Sequence, residues 1–343
     1  MYSYSRLSSY DSCPLQYKFR YIDRLQRPVE GIEAFLGNRV HEVLRRIHAD
    51  AAMEKELSEA EALEMFERRW DRLYHPTIRI VRREYGPEHY REVGRRCLSD
   101  YYRRYAPFRD GRTLGCEVKI LVDLGPAPVH RIIGYIDRLV QRADGVYEIH
   151  DYKTGGSLPD RRELDADEQL ALYQVGLQQR FADAERVELV WHYLVHDLEL
   201  RSLRDRPVLE QLAQRTVARI EKLEALDPAG DFPPRESPLC AWCDYRDLCP
   251  LWKDQVQLER LREQGLECAA GPELVEKYAR LLAEERELAE RRGDLEAALG
   301  RLMEREGVTR LFGERHCVET GGSQPARSFK LRPLEENGQF RLF

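Results

Sequence analysis

Asp151-Tyr152-Lys153 sets a carboxylate and an ammonium two residues apart. On an extended strand that spacing turns both to one face, the side on which Ile149 lies. A second carboxylate, Asp137 of Gly134-Tyr135-Ile136-Asp137, sits on the preceding β-rich run and can meet them across a hairpin. Two converging carboxylates hold a divalent cation, and a lysine beside it orients a water or offsets charge on a phosphate. Alone, Asp-x-Lys is weak, because the same pair on an ordinary surface is an exposed ion pair. The second cluster is Cys240-x2-Cys243-x5-Cys249, with Cys13 more than two hundred residues upstream. Four thiolates complete a tetrahedral ion site or a cubane, and spacing leaves zinc and iron-sulfur both open. Cys97, Cys116, Cys268 and Cys317 have no such company and read as packing or surface residues.

The elements that must position these groups can be read from periodicity. Ser3 or Ser5 caps a first helix through Leu7, Tyr10 and Tyr17, which Pro14 breaks or restarts. Val40, Val43, Leu44 and Ile47 mark a second helix carrying His41, and Ser58-x-x-Glu61 is a capping box opening a third. Residues up to about 108 are therefore expected to be helical. Residues 116–124, 129–142 and 146–153 are β-rich runs with turn signals between them, a three-stranded meander. Helix (166–181), strand (186–196) and helix (207–226) follow, an α/β order with a mixed sheet. An extended connector, residues 227–234, leads to the cysteines. Beyond Trp252, Leu274, Leu281, Leu288, Leu295 and Leu302 recur every seven residues, but Tyr278, Glu285, Arg292 and Leu299 between them are only half apolar. That pattern predicts a helix packed on the domain rather than an autonomous zipper. Residues 307–343 read as a small β or irregular tail.

The 343 residues, 42% of them hydrophobic, suffice for one large or two modest domains. No leader-like start and no membrane-length apolar run is present, so the expectation is a soluble, cytoplasmic protein without a membrane partner. In that compartment the eight cysteines are metal ligands or small hydrophobes rather than a disulfide framework. A net charge of -6 is no argument for nucleic acid, but residues 68–104 carry 11 Arg against 5 Asp or Glu. Trp70, Tyr74, Tyr85, Tyr90, Tyr101 and Tyr102 are interleaved with them. Cations and aromatic faces suit a single strand, with Arg95 and Arg96 as candidate contacts, and a solvated helical face is the plain alternative.

Taken in order, the helical His41, the Gly134-x-x-Asp137 strand, the Asp151-x-Lys153 strand and Gln169-x-x-x-Tyr173 on one helical face resemble the RecB-like branch of the PD-(D/E)XK nucleases. The resemblance covers roughly residues 3–252. It implies a restriction-endonuclease-like core, a mixed central sheet flanked by helices, with a helical insertion at about 50–108 and a helical extension from 253. It makes His41, Asp137, Asp151 and the Tyr152 carbonyl ligands of Mn²⁺ or Mg²⁺, the imidazole tilting the choice towards Mn²⁺. Lys153 would position the attacking water, and Gln169 and Tyr173 would line the site and touch DNA. The one-plus-three cysteines, with Cys13-Pro14 and Cys249-Pro250, look like the 4Fe-4S staple of AddB-type and CRISPR-associated RecB-like nucleases. The expected activity is hydrolysis of single-stranded DNA ends in repair, recombination or CRISPR and phage-defence processing, with a helicase or repair protein as a possible partner. The rival is a catalytically silent DNA-binding scaffold. Such a module would usually have lost one of His41, Asp137, Asp151 or Lys153, and here all four are present.

Overall fold

In the computed structural model the described residues are all but 28–29, 83, 126–129, 231, 265–269, 322–327 and 334–343. Cys268 and the turn at 126–129 therefore lie outside them. The chain divides into Met1–Gln257 and Leu258–Phe343.

The first unit opens with α1 (Tyr4–Ser12), where the Ser3 hydroxyl accepts from the Arg6 amide. The helix stops at Cys13 and restarts as α2 (Pro14–Tyr17). Proline lacks the amide that continuation needs and is well suited to a first turn. The next helices are α3 (Ile32–Ala51), α4 (Glu59–Leu73) and α5 (Pro87–Tyr105). The Ser58–Glu61 capping box forms as its sequence predicts. Then come β1 (Arg112–Leu124), β2 (His130–Gln141), β3 (Tyr147–Lys153), α6 (Arg161–Asp165), α7 (Gln169–Arg180), β4 (Val187–Tyr193), β5 (Leu198–Leu203) and α8 (Arg206–Glu224). α9 (Lys253–Glu263) runs past the unit boundary.

The sheet order is β1-β2-β3-β4-β5, antiparallel except for the parallel β3–β4 pair that α6 and α7 bridge. This is the mixed sheet flanked by helices that the sequence predicts. Two cores form on it. Ile149, Leu189 and Trp191 belong to one with Leu172 and Leu177 of α7 and Leu212 and Ile220 of α8. Tyr152 belongs to the other, with Val40 and Leu44 of α3, Phe66 and Trp70 of α4, and Leu98 and Tyr101 of α5. Alternation along β3 thus sends Ile149, Asp151 and Lys153 towards the α7 side and His150 and Tyr152 towards α3 and α5.

The buried Trp70, Tyr90 and Tyr101 correct one expectation. Their interleaving with arginine is the helical alternation of core and surface, so these three rings are not faces for bases.

The second unit contains α10 (Ala270–Glu306) and an antiparallel sheet of β6 (Arg310–Phe312), β7 (His316–Gly321) and β8 (Ser328–Pro333). In the leucine stripe of α10, Leu274, Leu281, Leu288 and Leu295 are each more than 60% exposed. Burying it would also bury Glu285 and Arg292, which lie between those leucines on the same face. Among the described residues no helix is long and apolar enough to cross a membrane.

Candidate active site

The site forms where β2 and β3 meet the middle of α3. The β2–β3 ladder ends at the Arg138–His150 pair, and Asp137 and Asp151 are the next residues of the two strands beyond it. The backbone fixes Asp137 further, since the Tyr152 amide donates to its Oδ2 at 2.8 Å. His41 reaches in from α3: its Nδ1 is 3.6 Å from Asp137 Oδ2 and its Nε2 is 2.8 Å from the Tyr152 carbonyl. Lys153 Nζ lies 2.7 Å from Asp151 Oδ2. On α7, the Gln169 amide donates to the Tyr173 hydroxyl at 3.3 Å, the one-turn spacing bringing them together. Tyr173 is buried and packs so close to β2 that a Cβ on Gly134 would sit 2.1 Å from its ring. Glycine at that position is a clearance for the tyrosine.

Electrostatics match a cation site. Burial pushes Asp151 up to about 6, Lys153 pulling against it and Asp137 adding to it. Its Oδ2 receives no aligned hydrogen bond, only the ion contact with Lys153. Burial alone would lower His41, but its contact with Asp137 and its bond to the Tyr152 carbonyl outweigh this and raise it. The oxygen-rich set with one imidazole and an under-satisfied carboxylate fits a divalent metal, Mg²⁺ or Mn²⁺.

Glu117 of β1 was missed by the sequence reading. One ligand atom each from His41, Glu117 and Asp137 lies within 4.8 Å of the others. Glu117 stands at φ 52 in the left-handed region, an interruption of β1 that no alternation pattern announces. Burial raises its carboxyl, and Asp137 raises it further. It is a further candidate metal ligand.

Beneath the site lies a buried polar layer. Arg138 makes a two-pronged contact with Asp110, at 2.6 and 3.3 Å, and touches His48 and His150. His150 continues to His192 at 2.8 Å, and Glu148 links this layer to Arg201. Tyr101 joins His48 to the Tyr152 hydroxyl, so the layer supports the residue whose carbonyl faces His41. Burial drives all three histidines well below their usual range, with the Arg138 charge adding to it. Asp110, Glu148 and His150 also approach one another closely enough for a metal, but Arg138 already fills that role as the cation.

The cysteines converge as well. Cys13, Cys240, Cys243 and Cys249 line one cavity of ≈ 240 Å³. Amide donors point at the sulfurs: Arg235 N to Cys13 at 3.4 Å and Ser237 N to Cys240 at 3.3 Å, with the Gln16 side chain 3.8 Å from Cys243. No three of these sulfurs lie within 4.8 Å of one another. The cysteine loop is tied to the rest by Arg79, which donates to the Cys243 carbonyl at 3.2 Å, and by Trp242, which donates to Glu33 of α3 at 3.3 Å.

Arg95 and Arg96 sit exposed on α5, and Arg95 pairs with Glu67 at 2.6 Å. Nearer the site, a cleft of ≈ 430 Å³ is lined by Arg82, Tyr85, His89, Thr154 and Gly155, starting immediately after Lys153. Tyr85 and His89 stack at 4.1 Å there.

Comparison with known families decides the assignment: the PD-(D/E)XK nuclease superfamily matches residues 1–250. The chain belongs to that superfamily. The match ends just past Cys249. No curated protein matches the chain. A solved structure titled "Crystal structure of SSO0001" is 18% identical, covering 39% of this chain and 58% of that one, with a TM-score of 0.24. The chain thus spans somewhat over half the length of that structure.

Proposed function

We propose that the protein is a metal-dependent deoxyribonuclease that hydrolyses phosphodiester bonds at single-stranded DNA ends and carries a 4Fe-4S cluster. The observations that support the reading are the His41–Asp137 and Lys153–Asp151 contacts on neighbouring elements, with Glu117 close to His41 and Asp137. His41, Asp137, Asp151 and the Tyr152 carbonyl would hold Mn²⁺ or Mg²⁺, with Glu117 beside them. When bound, the metal supplies a polarised phosphate and a more acidic water. Lys153, held by Asp151, presents an ammonium to the attacking water and to charge growing on the phosphate. Gln169 and Tyr173 line the edge, and Gln169 keeps an amide group available to the strand. The stacked Tyr85 and His89 with Arg82 favour a single strand in the adjoining cleft, while Arg95 and Arg96 offer phosphate contacts on the outer face.

We assign the cysteine site to an iron-sulfur cluster, a reading supported by the amides aimed at the sulfurs, a setting that suits cluster ligation. Repair, recombination or phage-defence processing, with a helicase as partner, is the setting this chemistry suits.

The test uses labelled single-stranded DNA with Mn²⁺ and with Mg²⁺. Asp151→Ala and Lys153→Ala should each lower cleavage by at least ~100-fold, the scale of losing one electrostatic catalytic group, while strand binding persists. A wild-type protein that binds DNA but cleaves it with neither metal would overturn the nuclease reading in favour of a scaffold.

A further inference from the structure

The exposed stripe of α10 carries its own clue to what covers it. Leu274, Tyr278, Leu281, Leu288 and Leu295, with Glu285 and Arg292 between the last three, follow the alternating four- and three-residue steps of a coiled-coil seam, and the five apolar members are each more than 60% exposed. The same face holds Glu284 and Glu285 in one turn and Arg291 and Arg292 two turns later. Arg291 pairs with Glu287 and Arg292 with Glu296 along the helix, whereas Glu284 and Glu285 make no ion pair among the described residues.

We infer that α10 is the dimerisation element of this protein, pairing antiparallel with α10 of a second copy. Orientation follows from charge. In a parallel pair each seam position faces itself, so Glu285 would meet the partner's Glu285 and Arg292 the partner's Arg292, two like-charge layers in a desolvated seam. In an antiparallel pair with its two-fold axis between Arg286 and Glu287, Tyr278 packs beside the partner's Leu295 and Leu274 beside the partner's Leu299. The same register brings Glu284 and Glu285 alongside the partner's Arg291 and Arg292, and the symmetry repeats these contacts at the other end. The patch is isologous, its acidic half complementary to its own basic half, as a closed two-fold interface requires. The 37-residue helix is about 55 Å long, enough for the whole seam to overlap.

Sedimentation equilibrium of the full chain at micromolar concentration should give twice the chain mass. Leu281→Glu with Leu288→Glu should yield monomer while nuclease activity on single strands persists. Glu284→Arg with Glu285→Arg should weaken the dimer at least about tenfold, because four ion pairs become repulsions, and adding Arg291→Glu with Arg292→Glu should restore it. The restored variant guards against mistaking a misfolded helix for a broken interface. A monomeric wild type at ~100 µM, far above the dissociation constants usual for specific dimers, overturns the inference. So does a dimer indifferent to the leucine changes, or one indifferent to the half charge swap, which would mean parallel pairing or another surface.

Discussion

At the scale of single residues, protons and metal compete for the same groups. Asp151 is held up to about 6 by burial, and His41 is raised by Asp137, yet a metal needs the carboxylate ionised and the imidazole neutral. Asp151 meets its condition above about 6, and His41 meets its own only above its raised range. As pH falls through about 6 the site takes up protons, so Mn²⁺ affinity measured by calorimetry should fall at least tenfold per pH unit there. Glu117→Gln removes one nearby oxygen charge and should weaken Mn²⁺ binding by about tenfold, the usual scale for disturbing a ligand shell. An unchanged isotherm would remove Glu117 from the site. Glu117 was illegible in the sequence because it depends on one left-handed residue in β1 and on a fold that lays β1 beside His41. Asp151 and Lys153 were legible because strand alternation alone puts them on one face.

At the scale of elements, the tightest constraint is between β2 and α7. Gly134→Ala would drive a methyl into the Tyr173 ring, whose atoms lie 2.1 to 2.8 Å from the new carbon. The helix must then move, costing roughly 1–3 kcal/mol and displacing Gln169 and Tyr173 from the strand. Cleavage should fall by at least ~10-fold, since misplacement near 1 Å is enough for such losses, and a fully active variant would show that α7 does not set the geometry. The helices and the meander were readable because caps and periods agree locally, as at Ser3, Ser58 and the β2–β3 hairpin. β5 was not, because the chain reverses through a short 3-10 turn at Leu194–His196 and a left-handed Asp197, without glycine or proline as a signal. α6 was missed although Asp160 and Glu163 form a capping box, since five residues carry no period. The arginine-rich helices show the opposite failure, in which composition suggested stacking rings that packing has claimed for the core.

At the scale of the molecule, the histidine layer sets acid stability. His48, His150 and His192 have depressed pKa values in the fold, so the unfolded chain binds protons that the folded one refuses. Their contribution is present above the unfolded value of about 6.5 and is lost as pH falls below it, at roughly 1.4 kcal/mol per pH unit for each. The carboxyls of Asp151, Glu117 and Asp167, raised by burial, run the other way, gaining stability as pH falls and offsetting part of this loss. Urea midpoints of the metal-free protein should therefore drop steeply from pH 6.5 to 5, and a flat profile would contradict the neutral layer. The cysteine site gives a separate readout. Anaerobically purified protein should be brown, and Cys243→Ala should lose the colour and lower the thermal midpoint; a colourless protein with one zinc would defeat the cluster assignment.

The distance in sequence between Cys13 and Cys249 imposes an order in time. A ribosome adding about 5–20 residues per second needs roughly ten to fifty seconds to carry the chain from the first thiol to the last. By the end of that interval, before Cys240 is added, the sheet, His41 and both aspartates have been made, but the clasp has only one of its four hooks. Closure is thus an event of the finished nuclease unit, and with the proposed cluster as the clasp it would wait on iron and sulfide from outside the chain. In a cell short of iron, newly made copies would accumulate with the N-terminal helix unfastened, exposed to proteases, while older copies kept working. The abundance of this enzyme would then follow the iron supply at the moment of synthesis.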